Sequence, residues 1–240
     1  MKTIAVAVRV LSQLRRDPRT LVLIIGVPCV LETLLKELFR GGPVFQHAGA
    51  PMLGLFPFVT MFLVTSITML RERVTGTLER LMTMPLSKLE LLAGYGVAFG
   101  VVAAVQATIV SVVAFGLLDL HVAGPRVVVV LLAVANAVLG SALGLFVSAF
   151  AQTEFQAVQF MPALVLPQFL LCGLFVARDS MATWLRWISD ALPLTYAYDA
   201  LSRTAADTLD GRFAADVAVV CGCIVLALAL GAATLRRRTP

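Results

Sequence analysis

Residues 51–70 read PMLGLFPFVTMFLVTSITML, and residues 71–88 continue RERVTGTLERLMTMPLSK. The first stretch carries no charged side chain, whereas the second holds Arg71, Glu72, Arg73, Glu79, Arg80 and Lys88. A helix rises about 1.5 Å per residue, so roughly 20 apolar residues cross the hydrocarbon of a bilayer. Residues 51–70 have that length. A charge at the bilayer centre is costly, so the onset of charge at Arg71 marks where the chain leaves the lipid.

The same pattern recurs along the chain. Composition agrees, with 60% hydrophobic and 14% charged residues, against roughly 45–50% and about 25% in soluble domains. The expected fold is a single all-α integral membrane domain over residues 1–240. Its spans lie near 20–39, 51–70, 89–118, 127–151, 155–177 and 215–235. Local signals place the boundaries. Asp17-Pro18 is a cap followed by the proline favoured at the first helical position. Gly41, Gly42 and Pro43 end the first span. Ser87 and Glu90 have the spacing of a capping box, with Leu86 and Leu91 placed as its apolar staple. Gly124-Pro125 breaks the chain before the fourth span, and Thr153 with Gln156 repeats the capping pattern before the fifth.

Residues 1–19 carry Lys2, Arg9, Arg15, Arg16 and Arg19, with Ile4, Val8 and Leu11 at helical spacing. This predicts an amphipathic helix lying on the membrane surface. Its basic residues run up to the span, which is not the order of a cleaved secretory signal. With both termini inside, the inner segments hold those five together with Arg71, Arg73, Arg80, Lys88, Arg236, Arg237 and Arg238, most of the 19 basic residues. The positive-inside bias therefore predicts cytoplasmic termini. Residues 178–212 are too polar to span. Trp184, Trp187, Tyr196 and Tyr198 suit the headgroup level, Leu185, Ile188 and Leu192 form a stripe, and Pro193 divides the stretch into two short outer-face helices that lie on the surface or dip into it.

Cys29, Cys172, Cys221 and Cys223 sit in apolar stretches without metal or disulfide spacing, and read as small packing residues. His47 and His121 fall in expected loops, which argues against haem or metal-protease chemistry. The net charge of +5 is accounted for by topology, and no nucleic-acid partner is expected.

Between Gly76 and Pro85, residues 77–84 form a short amphipathic helix with Leu78, Leu81 and Met82 on one face and Glu79, Arg80 and Thr83 on another. Held at the ends of two spans, such a helix either docks into a groove of a soluble partner or lies as a solvated loop on the membrane. The chain carries no phosphate-binding G-x4-G-K-[ST] motif and no Gly-Lys pair.

The surface helix before the first span, the run Glu72-Arg73-Val74-Thr75-Gly76-Thr77-Leu78-Glu79-Arg80-Leu81 after the second, the capped third span and Leu192-Pro193-Leu194-Thr195-Tyr196 before the last resemble the permease subunits of type-2 ABC exporters, the group that includes daunorubicin-resistance-like drug exporters and lipid or polysaccharide exporters. The resemblance covers nearly the whole chain. It implies that residues 71–88 hold a cytoplasmic coupling helix, with Glu72, Gly76, Thr77, Glu79, Arg80 and Leu81 making mechanical contact with a separate ATPase. It implies two ATPase copies carrying ATP and Mg, a second permease as homo- or heterodimer, and no cofactor or catalytic residue in this chain. The preference for Ala, Val, Leu and Arg over Lys suits a high-GC bacterium and hence its inner membrane.

Polar residues within spans are functional candidates. Glu32 and Lys36 stand in the favourable order for a helical pair, which makes them either self-neutralising or a lining for the exit path. Gln106, Asn136, Gln159 and Gln168 are weaker candidates for the substrate path, and the last two share a span with Pro162 and Pro167, whose freed carbonyls they are placed to satisfy. Gly96/Gly100 and Gly140/Gly144 have the spacing of close helix approach, within a subunit or between subunits. The rival function is an ion-driven secondary transporter, although no repeat relates the two halves. An enzyme centred on Ser141 lacks any intramembrane His or Lys partner.

Overall fold

The computed structural model describes residues 2–83 and 87–234, and for Glu79, Met82 and Lys88 the backbone alone. Among the described residues it is all-helical. Helix α1 (Lys2–Arg15) turns at Asp17 into α2 (Pro18–Leu38). The Asp17 carboxylate accepts from the Thr20 amide at 3.3 Å and from the Thr20 hydroxyl at 2.6 Å, the cap expected there. Arg40 and Gly41, both at positive φ, close α2 and lead to Pro43.

Helix α3 (Pro43–Val74) is longer than the span read from the sequence. Pro51 was expected near a helix start but lies inside, as does Pro57. One proline removes one backbone bond, and α3 is the most enclosed helix of the bundle, with Phe45, Leu53, Leu55, Phe58 and Met61 fully buried. At its far end the helix runs on through Arg71, Glu72 and Arg73, because partners on other helices take up two of those charges. The short helix α4 (Thr77–Met82) follows. Pro85 and Leu86, the expected stop and staple residue, lie outside the described residues, as do Arg236, Arg237 and Arg238.

Helix α5 (Lys88–Gly116) opens on the expected capping box: Glu90 donates its amide to Ser87 Oγ at 3.1 Å, and Ser87 donates its amide to Glu90 Oε2 at 2.8 Å. Helices α6 (Arg126–Val147) and α7 (Glu154–Leu171) both stop short of their expected ends. Ser148 Oγ turns back to Leu145 O at 2.6 Å, and turns at Ala149 and Phe150 end α6. Gly173, at φ +105, takes the chain out of helix after α7. A 3-10 turn (Arg178–Ser180), α8 (Thr183–Ala191), α9 (Pro193–Ala205) and α10 (Gly211–Ala233) complete the chain.

Among the described residues four helices are long and apolar enough to cross a membrane: α3, α5 from Leu89, α6 and α10. Helix α2 is weakened by Glu32, Lys36 and Glu37. Helix α7 has 18 residues, about 27 Å at 1.5 Å per residue, against a hydrocarbon thickness of roughly 30 Å.

The tightest pairing is α3 with α6, and small residues make it. A Cβ on Gly140 would meet Phe58 O at 2.2 Å, and one on Gly144 would meet Phe62 O at 2.5 Å. A Cβ on Gly100 would meet nothing within 4 Å, so of the two glycine pairs only the later one is a close contact within this chain. Helix α9 is set into the bundle against α3, α6 and α10, with Leu194, Ala197, Ala200 and Leu201 buried. Helix α8 buries only Ser189 and leaves Trp184, Trp187 and Ile188 exposed. Arg178 ties the two together, bonding Asp199 at 2.8 Å and pairing with Asp190. Arg203 pairs with Asp210 and Asp216, each at 3.3 Å, and fastens α9 to α10.

Candidate functional site

The end of the bundle where α1 meets α2 also receives the end of α3, all of α4 and the start of α5. Glu72 projects inward there. Its carboxylate accepts both bonds of a fork from Arg9 Nη2, at 2.9 and 3.0 Å, and the Tyr95 hydroxyl lies 3.4 Å from Arg9 Nη1. The Glu72 side chain is 8% exposed and that of Arg9 29%. One ion pair thus clamps α1 to the end of α3 beside α5. Arg9 was not a site candidate from sequence. Its one signal was a lone charge amid the apolar residues Val6, Ala7, Val8 and Val10, of which Val6, Ala7 and Val10 are buried. A second, exposed pair joins Arg71 to Glu154 at 2.7 and 3.0 Å and ties the same end of α3 to the start of α7.

Between the clamps, α3 must stop and α4 begin. Thr75 Oγ1 returns to Arg71 O at 2.8 Å, and Gly76 follows at φ +71, the left-handed residue that commonly closes a helix. Gly76 O then accepts the Arg80 amide at 3.1 Å and starts α4. Two of the three expected apolar residues of α4, Leu78 and Leu81, are buried at 4% and 8% exposure. Arg80 and Thr83 face outward. The side chains of Glu79 and Met82 lie outside the described residues.

The expected contact residues therefore divide. Arg80 is on the free face of α4. Gly76 and Thr77 form the turn, with Thr77 Oγ1 3.0 Å from Thr75 Oγ1. Glu72 and Leu81 face the chain's own interior. A cavity of about 280 Å³ opens beside the turn, lined by Gln13, Asp17, Thr68, Glu72 and Thr77 among others.

The polar residues of the spans are not brought to one place. Gln106 is fully buried and donates through Nε2 to Ile24 O at 2.7 Å and to Thr60 Oγ1 at 2.5 Å, which knits α5 to α2 and α3. Asn136 is buried against Gly54, where a Cβ would lie 2.4 Å from Asn Nδ2. Gln168 Nε2 bonds Leu164 O at 3.0 Å, a backbone carbonyl one turn back but not the Ala163 carbonyl that Pro167 frees. Gln159 is exposed and lines a separate cavity with Gln152, Gln156 and Phe160. Glu32 is fully buried, and neither carboxylate oxygen is bonded among the described residues. The expected Glu32–Lys36 pair does not form, because Lys36 Nζ reaches out to Leu117 O at 3.5 Å and Asp119 Oδ2 at 3.7 Å. Among the described residues, no group of three or more His, Cys, Asp or Glu side chains could hold a metal ion.

The sequence model of the ABC-2 type transporter family matches residues 1–204, from α1 through α4 to α9. The chain belongs to the ABC-2 type transporter family. This ABC-2 type chain is 28% identical over 206 residues to the linearmycin resistance permease protein LnrN of Bacillus subtilis, covering 85% of this chain and 52% of that one. It is 26% identical over 148 residues to the probable multidrug ABC transporter permease YbhR of Escherichia coli, covering 62% of this chain and 40% of YbhR. It is 27% identical over 150 residues to ABC transporter G family member 20 of Dictyostelium discoideum, covering 62% of this chain and 20% of that protein. The chain thus spans from a fifth to about half the length of these relatives. Family and apolar helices together make it a membrane protein.

Proposed function

We propose that this chain is the membrane-spanning permease of an ATP-driven exporter that moves a hydrophobic or amphiphilic substrate (a drug, lipid or glycan) out of the cytoplasm. In this reading α2 and α7 join the four longer helices as spans, both termini are cytoplasmic, and the membrane is a bacterial inner membrane. ATP and Mg bind a separate ATPase present in two copies, and a second permease completes the path.

The observation that carries the reading is the bracing of α4. Its apolar face rests on the bundle through Leu78 and Leu81 while Arg80 points away. The helix before it is anchored by Arg9–Glu72 and Arg71–Glu154. A push on the free face of α4 is thereby handed to α3, to α1 through one ion pair and to α7 through the other. A loosely tethered loop would absorb such a push. Glu72 serves this task as an internal brace rather than as a contact with the motor. The relatives' names, a multidrug permease and a linearmycin resistance permease, support the direction of transport and the substrate class.

The test is Arg80→Glu, which reverses charge on the free face and leaves Leu78 and Leu81 in place. The expected result is normal membrane insertion with loss of export and of the co-purifying ATPase. Export at the normal rate, or export that survives ATP depletion and collapses with the ion gradient, would replace this reading with a secondary transporter.

A further inference from the structure

A second cavity lies on the opposite side of α1 from the Glu72 clamp. It is a groove of about 260 Å³ between α1, α2 and α5, lined by Leu11, Leu14, Leu21, Ile25, Val102 and Gln106 among others, with Arg15 as its only charged residue. Val101 and Val105 form its open edge and are 45% and 51% exposed. The groove runs from Arg15, at the turn into α2, inward past Leu21 and Ile25, about 6 Å further along α2. Gln106 closes the inner end, where its bond to Ile24 O joins α5 to α2. We propose that this groove holds one acyl chain of an anionic phospholipid of the inner leaflet, with the lipid phosphate on Arg15.

Shape and charge both point to this occupant. A volume of 260 Å³ falls below the roughly 300–1,000 Å³ of sites that enclose drug-sized ligands, and the apolar walls with an open side suit the upper part of a single hydrocarbon chain. The charge at the mouth has the sign of a phosphate receptor. Arg9 is consumed by Glu72, but the side chains of Arg15 and Arg16 have no ion-pair or hydrogen-bond partner among the described residues. Asp17, the sole acidic residue among residues 2–31, bonds Thr20 and lines the other cavity. Arg15 thus stands at the mouth of the groove with its positive charge unpaired among the described residues, next to Arg16 in sequence. The same lipid surface receives the exposed side of α1, where Ile4 and Val8 are 65% and 56% exposed. The outcome is a lipid that fills the wedge where the end of α1 turns into α2 beside α5.

The inference rests on the inner-leaflet placement of α1 in the reading above, and the two are tested separately. The full-length chain, with any subunits that co-purify, is equilibrated with equimolar palmitoyl-oleoyl phosphatidylglycerol and phosphatidylcholine vesicles, extracted in mild detergent and weighed by native mass spectrometry. The expected result is one retained phosphatidylglycerol per copy, preferred over phosphatidylcholine by about fivefold, the effect of one basic residue at an anionic surface. Val102→Trp fills the groove and abolishes retention, while Arg15→Gln keeps a lipid but loses the preference. A measurement that needs no variant is the immobilised fraction of spin-labelled phosphatidylglycerol, which unlabelled phosphatidylglycerol displaces and phosphatidylcholine displaces poorly. The proposal is overturned by the absence of a retained lipid, by retention indifferent to both substitutions, or by a Val102→Trp protein whose protomers separate, which would make the occupant a second copy of the chain. Because vesicle lipids are symmetric, binding does not depend on orientation. Protease access to a tag ahead of Met1 reads the orientation, and cleavage only from outside would sink the topology while leaving the lipid result intact.

Discussion

Breaking the Arg9–Glu72 clamp from either side should have unequal consequences. Removing one partner of a fully buried pair costs about 3–5 kcal/mol, whereas an exposed pair contributes about 0–1 kcal/mol. This pair lies between those limits, with Glu72 at 8% side-chain exposure and Arg9 at 29%. Arg9→Ala leaves the more buried carboxylate without a partner, so its expected cost is about 2–3 kcal/mol. Glu72→Ala leaves a guanidinium that reaches water by a rotamer change, so its cost is about 1–2 kcal/mol. The clamp ties α1 to α3, so the loss falls mainly on docking of α1. At about 1.4 kcal/mol per factor of ten, Arg9→Ala raises the undocked population of α1 by about 30-fold to about 140-fold. Hydrogen exchange in nanodiscs reads this directly: amides of residues 2–15 should speed up by that factor while those of α6 stay unchanged. The double variant Arg9→Ala/Glu72→Ala should recover part of the loss. Equal costs for the two single variants, or exchange in α1 unmoved by Arg9→Ala, would refute the clamp.

Other outcomes follow from the same geometry. Gly76→Ala forces a side chain into the left-handed region at φ +71, at a cost of about 1–2 kcal/mol, and should lower ATPase co-purification without changing span packing as read by thermal melting. Gly140→Ala drives a methyl group to 2.2 Å from Phe58 O and should lower the melting temperature by several degrees, whereas Gly100→Ala, which meets nothing, should be neutral or slightly stabilising, since alanine is the better helix former by about 1 kcal/mol. The Arg71–Glu154 pair is over half exposed on both sides, so Arg71→Ala should cost under about 1 kcal/mol and less in high salt. Its hydrogen bond with Arg71 holds the Glu154 carboxyl below the usual carboxylate range. With the folded value depressed, the pair's contribution is present above the unfolded carboxylate range and is lost as pH falls through the folded one, which acid titration of the melting temperature in wild type and Glu154→Gln would read.

The sequence by itself determined the all-helical class, the helix starts at Pro18, Lys88 and Glu154, and the amphipathic split of α4. These are local properties. A helix in lipid satisfies its own backbone, so length and hydropathy suffice to find it, and caps act within three residues, as Ser87–Glu90 and Asp17–Thr20 do. Even α8 and α9 divide at Pro193, as the sequence indicated. Only the tertiary structure decided what each face meets. Periodicity showed that Glu72 was charged and near a helix end, but not that Arg9, 63 residues earlier, would turn it inward. It gave two glycine pairs the same spacing, and the neighbouring backbone at Phe58 and Phe62 chose between them. It matched Glu32 with Lys36 on one helix, whereas Lys36 found the loop at Leu117 and Asp119. Ion pairs and close helix contacts depend on atoms far apart in the chain, and their energies are decided by burial that no local window of sequence contains.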